Sequence, residues 1–354
     1  MKYLRLFETD ANYQSYIEDE NNYVEPHIAL IKDSYSVIYK RKEEYIQIKK
    51  FLKGWTWVSF HVNTMEGENG LNKLKELLGS NWQEIKTNTI PDASEATTNL
   101  ITTYDTTTNT WNGNLTSLDL RYSYIVKCLE SATIEFSGNP VNPENYVIEI
   151  GGNPEKAVWS YFGFPSKESL SIDIFNNFAC DGDWIKSQRD FAQYYEGEWH
   201  GTFNTLTPGE GYKYNNTSNI SKTIIFTNPP IVNTEAVSTY GLRRNVIEPN
   251  NHYNVTPNDF NDNMTMIALV DNVNNENYEL GAFVNGECRG TTHPLYVDIL
   301  DKWLFFIMIY GNVNDEEVTF KYYDNENDEE ITLDSTVTFS KDKMLGHVNQ
   351  PYIL

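Results

Sequence analysis

The chain has 354 residues with 27 Lys and Arg against 50 Asp and Glu, a formal charge of −23 that sets its own field against nucleic acid and anionic membrane surfaces. Forty per cent of the residues are hydrophobic and 14% aromatic, enough apolar surface to offset the entropy of ordering, so a disordered chain is excluded. Asparagine (41 residues) and threonine dominate and alanine is scarce, which is a vocabulary of turns and strands. The expectation is a mostly β, multidomain protein of several small cores.

The N-terminus, Met1-Lys-Tyr-Leu-Arg-Leu-Phe-Glu8, lacks the apolar stretch and small-residue cleavage site of a secretion signal. Residues 1–45 read as a leader in which Ile28-Ala-Leu-Ile31 and Val37-Ile-Tyr39 form strands. So few strands make no core of their own, so the leader is expected to dock, either on the rest of the chain or on a partner.

Residues 46–145 and 146–222 read as two related units. Gly54-Trp-Thr-Trp-Val-Ser-Phe60 and Trp82-Gln-Glu-Ile-Lys86 in the first are echoed by Ala157-Val-Trp-Ser-Tyr-Phe-Gly-Phe164 and Trp184-Ile-Lys186 in the second. Trp111-Asn-Gly and Trp199-His-Gly then open the turn into the last strand of each. Leu71, Leu74, Lys75 and Leu78, followed by Gly79, predict one helix with a glycine stop in the first unit. A long Thr/Asn-rich insertion at 87–110 separates the first unit from the pattern of the second.

Residues 223–256, with Asn228-Pro-Pro230 and Glu248-Pro-Asn-Asn251, read as a connector. From 257 to 354, strand-like runs with regular turn signals predict a β-sandwich, and the eight-residue apolar run Trp303–Tyr310 is expected as a buried strand, too short for a membrane helix.

No reaction is encoded in any local motif. The six histidines have no zinc spacing, no serine or cysteine sits in a nucleophile elbow, and Gly209-Glu-Gly211 follows a proline as a hairpin corner. Cys128, Cys180 and Cys288 are expected as free thiols. The acidic run Asp324–Glu330 offers hard oxygens but not the glycine and glutamate spacing of a calcium loop, and reads as a solvated hairpin. Trp55, Trp57, Trp82, Trp111, Trp159, Trp184 and Trp199 are expected in core or turn packing, not on a glycan platform. No catalytic residue, metal site or cofactor is expected, and the chain is read as a non-enzyme.

Three stretches carry a resemblance. The leader, with Tyr13-Gln-Ser-Tyr16 and Glu25-Pro-His-Ile-Ala-Leu-Ile-Lys-Asp33 running to Tyr39, resembles the N-terminal segment of virion proteins of phages that infect Bacteroidota, the crAss-like phages included. The tryptophan-marked units look like modules of surface proteins of those bacteria. The C-terminal part, with Gly281-Ala-Phe-Val284 and Glu287-Cys-Arg-Gly290, is similar to a β-sandwich that follows such modules.

The resemblance implies a virion structural protein assembled in the host cytoplasm: a head fibre or decoration protein, with a tail component as the alternative and a bacterial surface glycan-binding or hydrolytic protein as the rival from another class. It implies an anchor built from Tyr13, Tyr16, Pro26, Ile28, Leu30, Ile31, Val37 and Tyr39 that binds capsid or another virion protein. The implied state is a homo-oligomer whose outward modules adhere weakly to a cell-surface glycan, with no nucleic acid and no membrane insertion.

Overall fold

The computed structural model describes residues 4–7, 27–31, 36–40, 45–88, 99–152, 159–227 and 251–354. By contacts the chain forms two units, one of Met1–Ile46 with Ser137–Asn139 and one of Gln47–Phe136 with Pro140–Leu354. The first unit holds a three-stranded sheet of β1 (Leu4–Phe7), β2 (His27–Ile31) and β3 (Ser36–Lys40) in the order β1-β2-β3. Here β1 runs parallel to β2, and β2 and β3 are antiparallel with Ile28 opposite Tyr39 and Leu30 opposite Val37.

Strand β4 (Tyr45–Phe51), which enters the second unit at Gln47, is followed by β5 (Gly54–Val58), and the helix α1 (Gly67–Leu78) forms where the leucine spacing predicts it. Leu71, Leu74 and Leu78 are buried on one face, and Gly79, at φ +55°, returns its N–H to the last carbonyls as a stop. Strands β6 (Trp82–Asn88), β7 (Asn99–Asp105), β8 (Thr110–Gly113) and β9 (Tyr124–Cys128) complete a five-stranded sheet of order β5-β9-β6-β7-β8. Strand β10 (Ala132–Gly138) pairs with β4, and Phe60 and Phe51 pack edge-on against Phe136.

The next stretch supplies β11 (Ile148–Ile150), β12 (Trp159–Phe162), β13 (Leu170–Ser171), β14 (Trp184–Lys186), β15 (Phe191–Tyr195), β16 (Glu198–Gly201), β17 (Thr205–Leu206), β18 (Tyr212–Asn215) and β19 (Lys222–Ile224). Its five-stranded sheet runs β12-β18-β14-β15-β16, so both sheets place their last long strand beside their first and then the second, third and fourth in turn. Where the first has α1, this one has a short 3-10 turn at Ile172–Phe175, which packs its phenylalanine into a core with Phe162, Phe164, Tyr212 and Tyr214.

The C-terminal part is a two-sheet β-sandwich, as its turn spacing predicts. Strands β20 (Asp262–Leu269), β23 (Pro294–Val297), β24 (Lys302–Gly311), β27 (Met344–Leu345) and β28 (Tyr352–Ile353) form one sheet. Strands β21 (Tyr278–Val284), β22 (Glu287–Thr292), β25 (Glu317–Asp324) and β26 (Glu329–Thr338) form the other. The apolar run in β24 has no polar alternation because both of its faces are covered. Phe305, Ile307 and Ile309 fill the sandwich interior, whereas Leu304, Phe306, Met308 and Tyr310 pack outward against Trp159, Trp184 and Phe191.

These modules are joined by polar links as well as apolar ones. Gln188 receives the Trp57 N–H at 3.1 Å and donates to the Trp55 carbonyl at 2.8 Å, while Tyr310 donates to the Gln188 carbonyl at 3.1 Å. Gly54 sits at this joint with φ +87°, and a Cβ there would lie 2.1 Å from the Asn258 carbonyl oxygen. Most of the expected connector, 228–250, and residues 89–98 of the Thr/Asn insertion lie outside the described residues.

Candidate functional site

The site is built where the hairpin of β23 and β24 meets the end of β20. The register sets Tyr296 directly opposite Trp303 and Pro294 opposite Phe305. Side chains alternate between faces along a strand, so Trp303 shares the inward face of Phe305, and Tyr296 shares it too. Phe305 is fully covered by the facing sheet, but Trp303 is only half-buried and Tyr296 is 46% exposed. The inner row of the sandwich therefore runs out into solvent as an aromatic pair, with ring centroids 5.4 Å apart and planes tilted by 51°.

Beside the pair lies a cleft of about 290 Å³, near the lower limit of small-molecule sites. Leu269, Val270 and Val273 line its apolar base. Its rim is polar: Asp271, Asn272 and Asn274 come from the turn after β20, and Asp301 and Lys302 from the hairpin turn. Both turns are held in tight left-handed geometry, with Asn272 at φ +70° and Asp301 at φ +53°. The Asp301 N–H closes the turn onto the Asp298 carbonyl at 3.1 Å. The Asp301 carboxylate accepts the Tyr296 hydroxyl, which raises the phenol above its ordinary pKa and fixes the carboxylate beside the ring.

Such an arrangement offers two aromatic faces tilted to one another and flanked by carboxylates, amides and one ammonium. It can stack on one face of a flat, partly apolar ligand and hydrogen-bond its edges.

A second cleft, of about 240 Å³, lies between the turn at Arg189–Asp190 and β22 and β24. Its aromatic residues, Tyr253, Phe306 and Tyr310, are buried and present no stacking face.

The principal buried charge cluster sits at the joint between modules. Lys186 Nζ lies 2.8 Å from Asp342 Oδ1 and 2.9 Å from Asn263 Oδ1, with the Trp159 ring centroid 4.0 Å away. Lys213 Nζ lies 2.9 Å from the same carboxylate oxygen and sits over Tyr161 and Trp57, at 4.3 and 4.6 Å from the ring centroids. Burial pushes Lys186 down to about 8, against the pull of Asp342 and with the push of Lys213. Burial alone would raise the Asp342 carboxyl; the two ammonium groups overcome it and hold the group well below the usual range.

The cluster's charges are paired with one another, so it reads as a lock between modules. A comparable closed set surrounds Asp183, which takes Lys222, Tyr214 and Thr217.

Of the anchor residues expected from the sequence, Ile28, Leu30, Ile31, Val37 and Tyr39 fall on the paired strands β2 and β3. Tyr13, Tyr16 and Pro26 lie outside the described residues. The acidic run forms the β25–β26 hairpin, in which Asp324 accepts the N–H groups of Glu326 and Asn327 at 2.9 and 3.2 Å. Among the described residues no group of three His, Cys, Asp or Glu side chains is arranged to hold a metal ion.

Trp55, Trp57, Trp159 and Trp184 are buried, as expected, and Trp111 and Trp199 are half-buried on hairpins. Trp303 is not legible as a surface residue in the sequence, where it opens the apolar run of β24. One signal was present: Tyr104 and Trp111, a cross-strand pair on β7 and β8, are seven residues apart, as are Tyr296 and Trp303. No protein-family model, characterised protein or solved structure matches this chain.

Proposed function

We propose that the chain is a non-catalytic adhesion protein that binds saccharides at the Tyr296–Trp303 cleft. The observation that carries this reading is the cross-strand pair of an exposed Tyr296 and a half-buried Trp303 beside a polar-rimmed cleft. Sugar rings have an apolar face of C–H groups and an edge of hydroxyls, and the pair and its rim match the two.

The setting we propose is a phage particle. There residues 1–45 attach the chain to capsid or a neighbouring virion protein, and the sandwich faces outward as part of a head fibre or decoration. Support comes from the likeness of the leader to the N-terminal segment of such virion proteins. The two five-stranded sheets of one strand order fit a duplicated spacer module. Assembly as a homo-oligomer would multiply weak sugar contacts, since linked sites raise the effective concentration of each other's ligand.

A glycan array probed with the purified full chain and with Trp303→Ala tests the binding reading. Saccharide binding that the variant loses is expected; wild-type protein that binds no glycan contradicts it.

A further inference from the structure

We propose that the cleft takes uncharged or amino-bearing saccharides and turns away uronic and sialic acids, an inference that rests on the cleft being the sugar site. The sign of the charge around the platform sets this preference. Asp271, from the turn after β20, and Asp301, from the hairpin turn, both line the cleft, and Lys302 is the single cation among the lining residues. The Tyr296 hydroxyl donates to the Asp301 carboxylate. Its charge is therefore held at the edge of the ring on which a sugar would stack. Asp298, exposed in the same turn, adds a third carboxylate close to the phenol.

A carboxylate accepts hydrogen bonds from vicinal hydroxyls and pairs with an ammonium, but it repels a second carboxylate brought within a few ångströms. The amides of Asn272 and Asn274 donate and accept without regard to the ligand's charge, so they do not offset the repulsion. The −23 of the whole chain acts in the same direction at longer range and is screened by salt.

The test uses calorimetric titration of the full chain with ligand pairs that differ mainly in charge: lactose against sialyllactose, cellotriose against its uronic-acid counterpart, and di-N-acetylchitobiose against chitobiose. The neutral member of the first two pairs should bind roughly ten-fold more tightly than its acidic counterpart at low salt, and chitobiose, with its amines, more tightly than di-N-acetylchitobiose. In Asp271→Asn/Asp301→Asn the preference should shrink by about three-fold per carboxylate removed, to near parity between acidic and neutral ligands.

Acidic members that bind as well as neutral ones, with both lost in Trp303→Ala, would overturn the charge selection while leaving the site in place. Binding that survives unchanged in Trp303→Ala would instead overturn the site.

Discussion

The Lys186 ammonium lies 2.8 Å from the Asp342 carboxylate with its side chain wholly shielded from solvent, so one carboxylate in the sandwich secures β14 of the neighbouring module. Lys213 reaches the same carboxylate from β18, and the Trp159 indole donates to the Asp342 carbonyl at 2.8 Å. Removing the carboxylate strands two ammonium groups among aromatic rings, a change that typically costs about 3–5 kcal/mol. Asp342→Ala should therefore lower the urea midpoint sharply, whereas Lys186→Met, which leaves Lys213 paired, should cost less. Equal losses from the two would contradict the picture of a shared carboxylate.

His61 gives the fold an acid sensitivity of predictable sign. It is 3% exposed, and burial pushes its imidazole down to about 4 from an ordinary 6.5. Between those values the unfolded chain binds a proton that the folded chain refuses, so stability is complete above about pH 6.5 and falls as the pH drops towards 4. Comparing unfolding at pH 7 and pH 4.5, the wild type should lose about 2 kcal/mol more than His61→Gln. Parallel losses in the two proteins would show that the imidazole titrates normally in the folded chain.

Gly54 is expected to resist any substitution. Its φ of +87° is poor for other residues, and a Cβ would meet the Asn258 carbonyl oxygen at 2.1 Å. Gly54→Ala should cost about 2–4 kcal/mol in chemical denaturation. A cost below about 0.5 kcal/mol, within the range of ordinary surface changes, would show that the joint between β5 and the segment at Asn258 yields easily.

Much of the fold is legible in the residues because it follows local periods. Leu71, Leu74 and Leu78 repeat at helical spacing and end at Gly79, and the sandwich strands fall between regular turn signals. The buried lysines are not legible. In Trp184-Ile-Lys186 the lysine reads as a solvent position, and only docking of the sandwich through Asp342 and Asn263 buries it. The platform was hidden for a related reason. Trp303 opens an unbroken apolar run, and nothing local says that the facing sheet covers Phe305 and leaves Trp303 half open.

The anchor proposal predicts that particles assembled in cells take up the full chain and exclude a chain of residues 46–354. Measuring incorporation of the two by mass spectrometry of purified particles decides it. Equal uptake would show that residues 1–45, with Ile28, Leu30, Val37 and Tyr39 on their paired strands, are not the anchor.

The most direct test of the central claim is calorimetric titration of a neutral oligosaccharide chosen from the array into wild-type protein, Trp303→Ala and Trp111→Ala. The account predicts a loss of affinity of about 30-fold or more in Trp303→Ala, the scale of a central aromatic contact, with Trp111→Ala close to wild type. Affinity that is unchanged in Trp303→Ala, or lost only in Trp111→Ala, would contradict it.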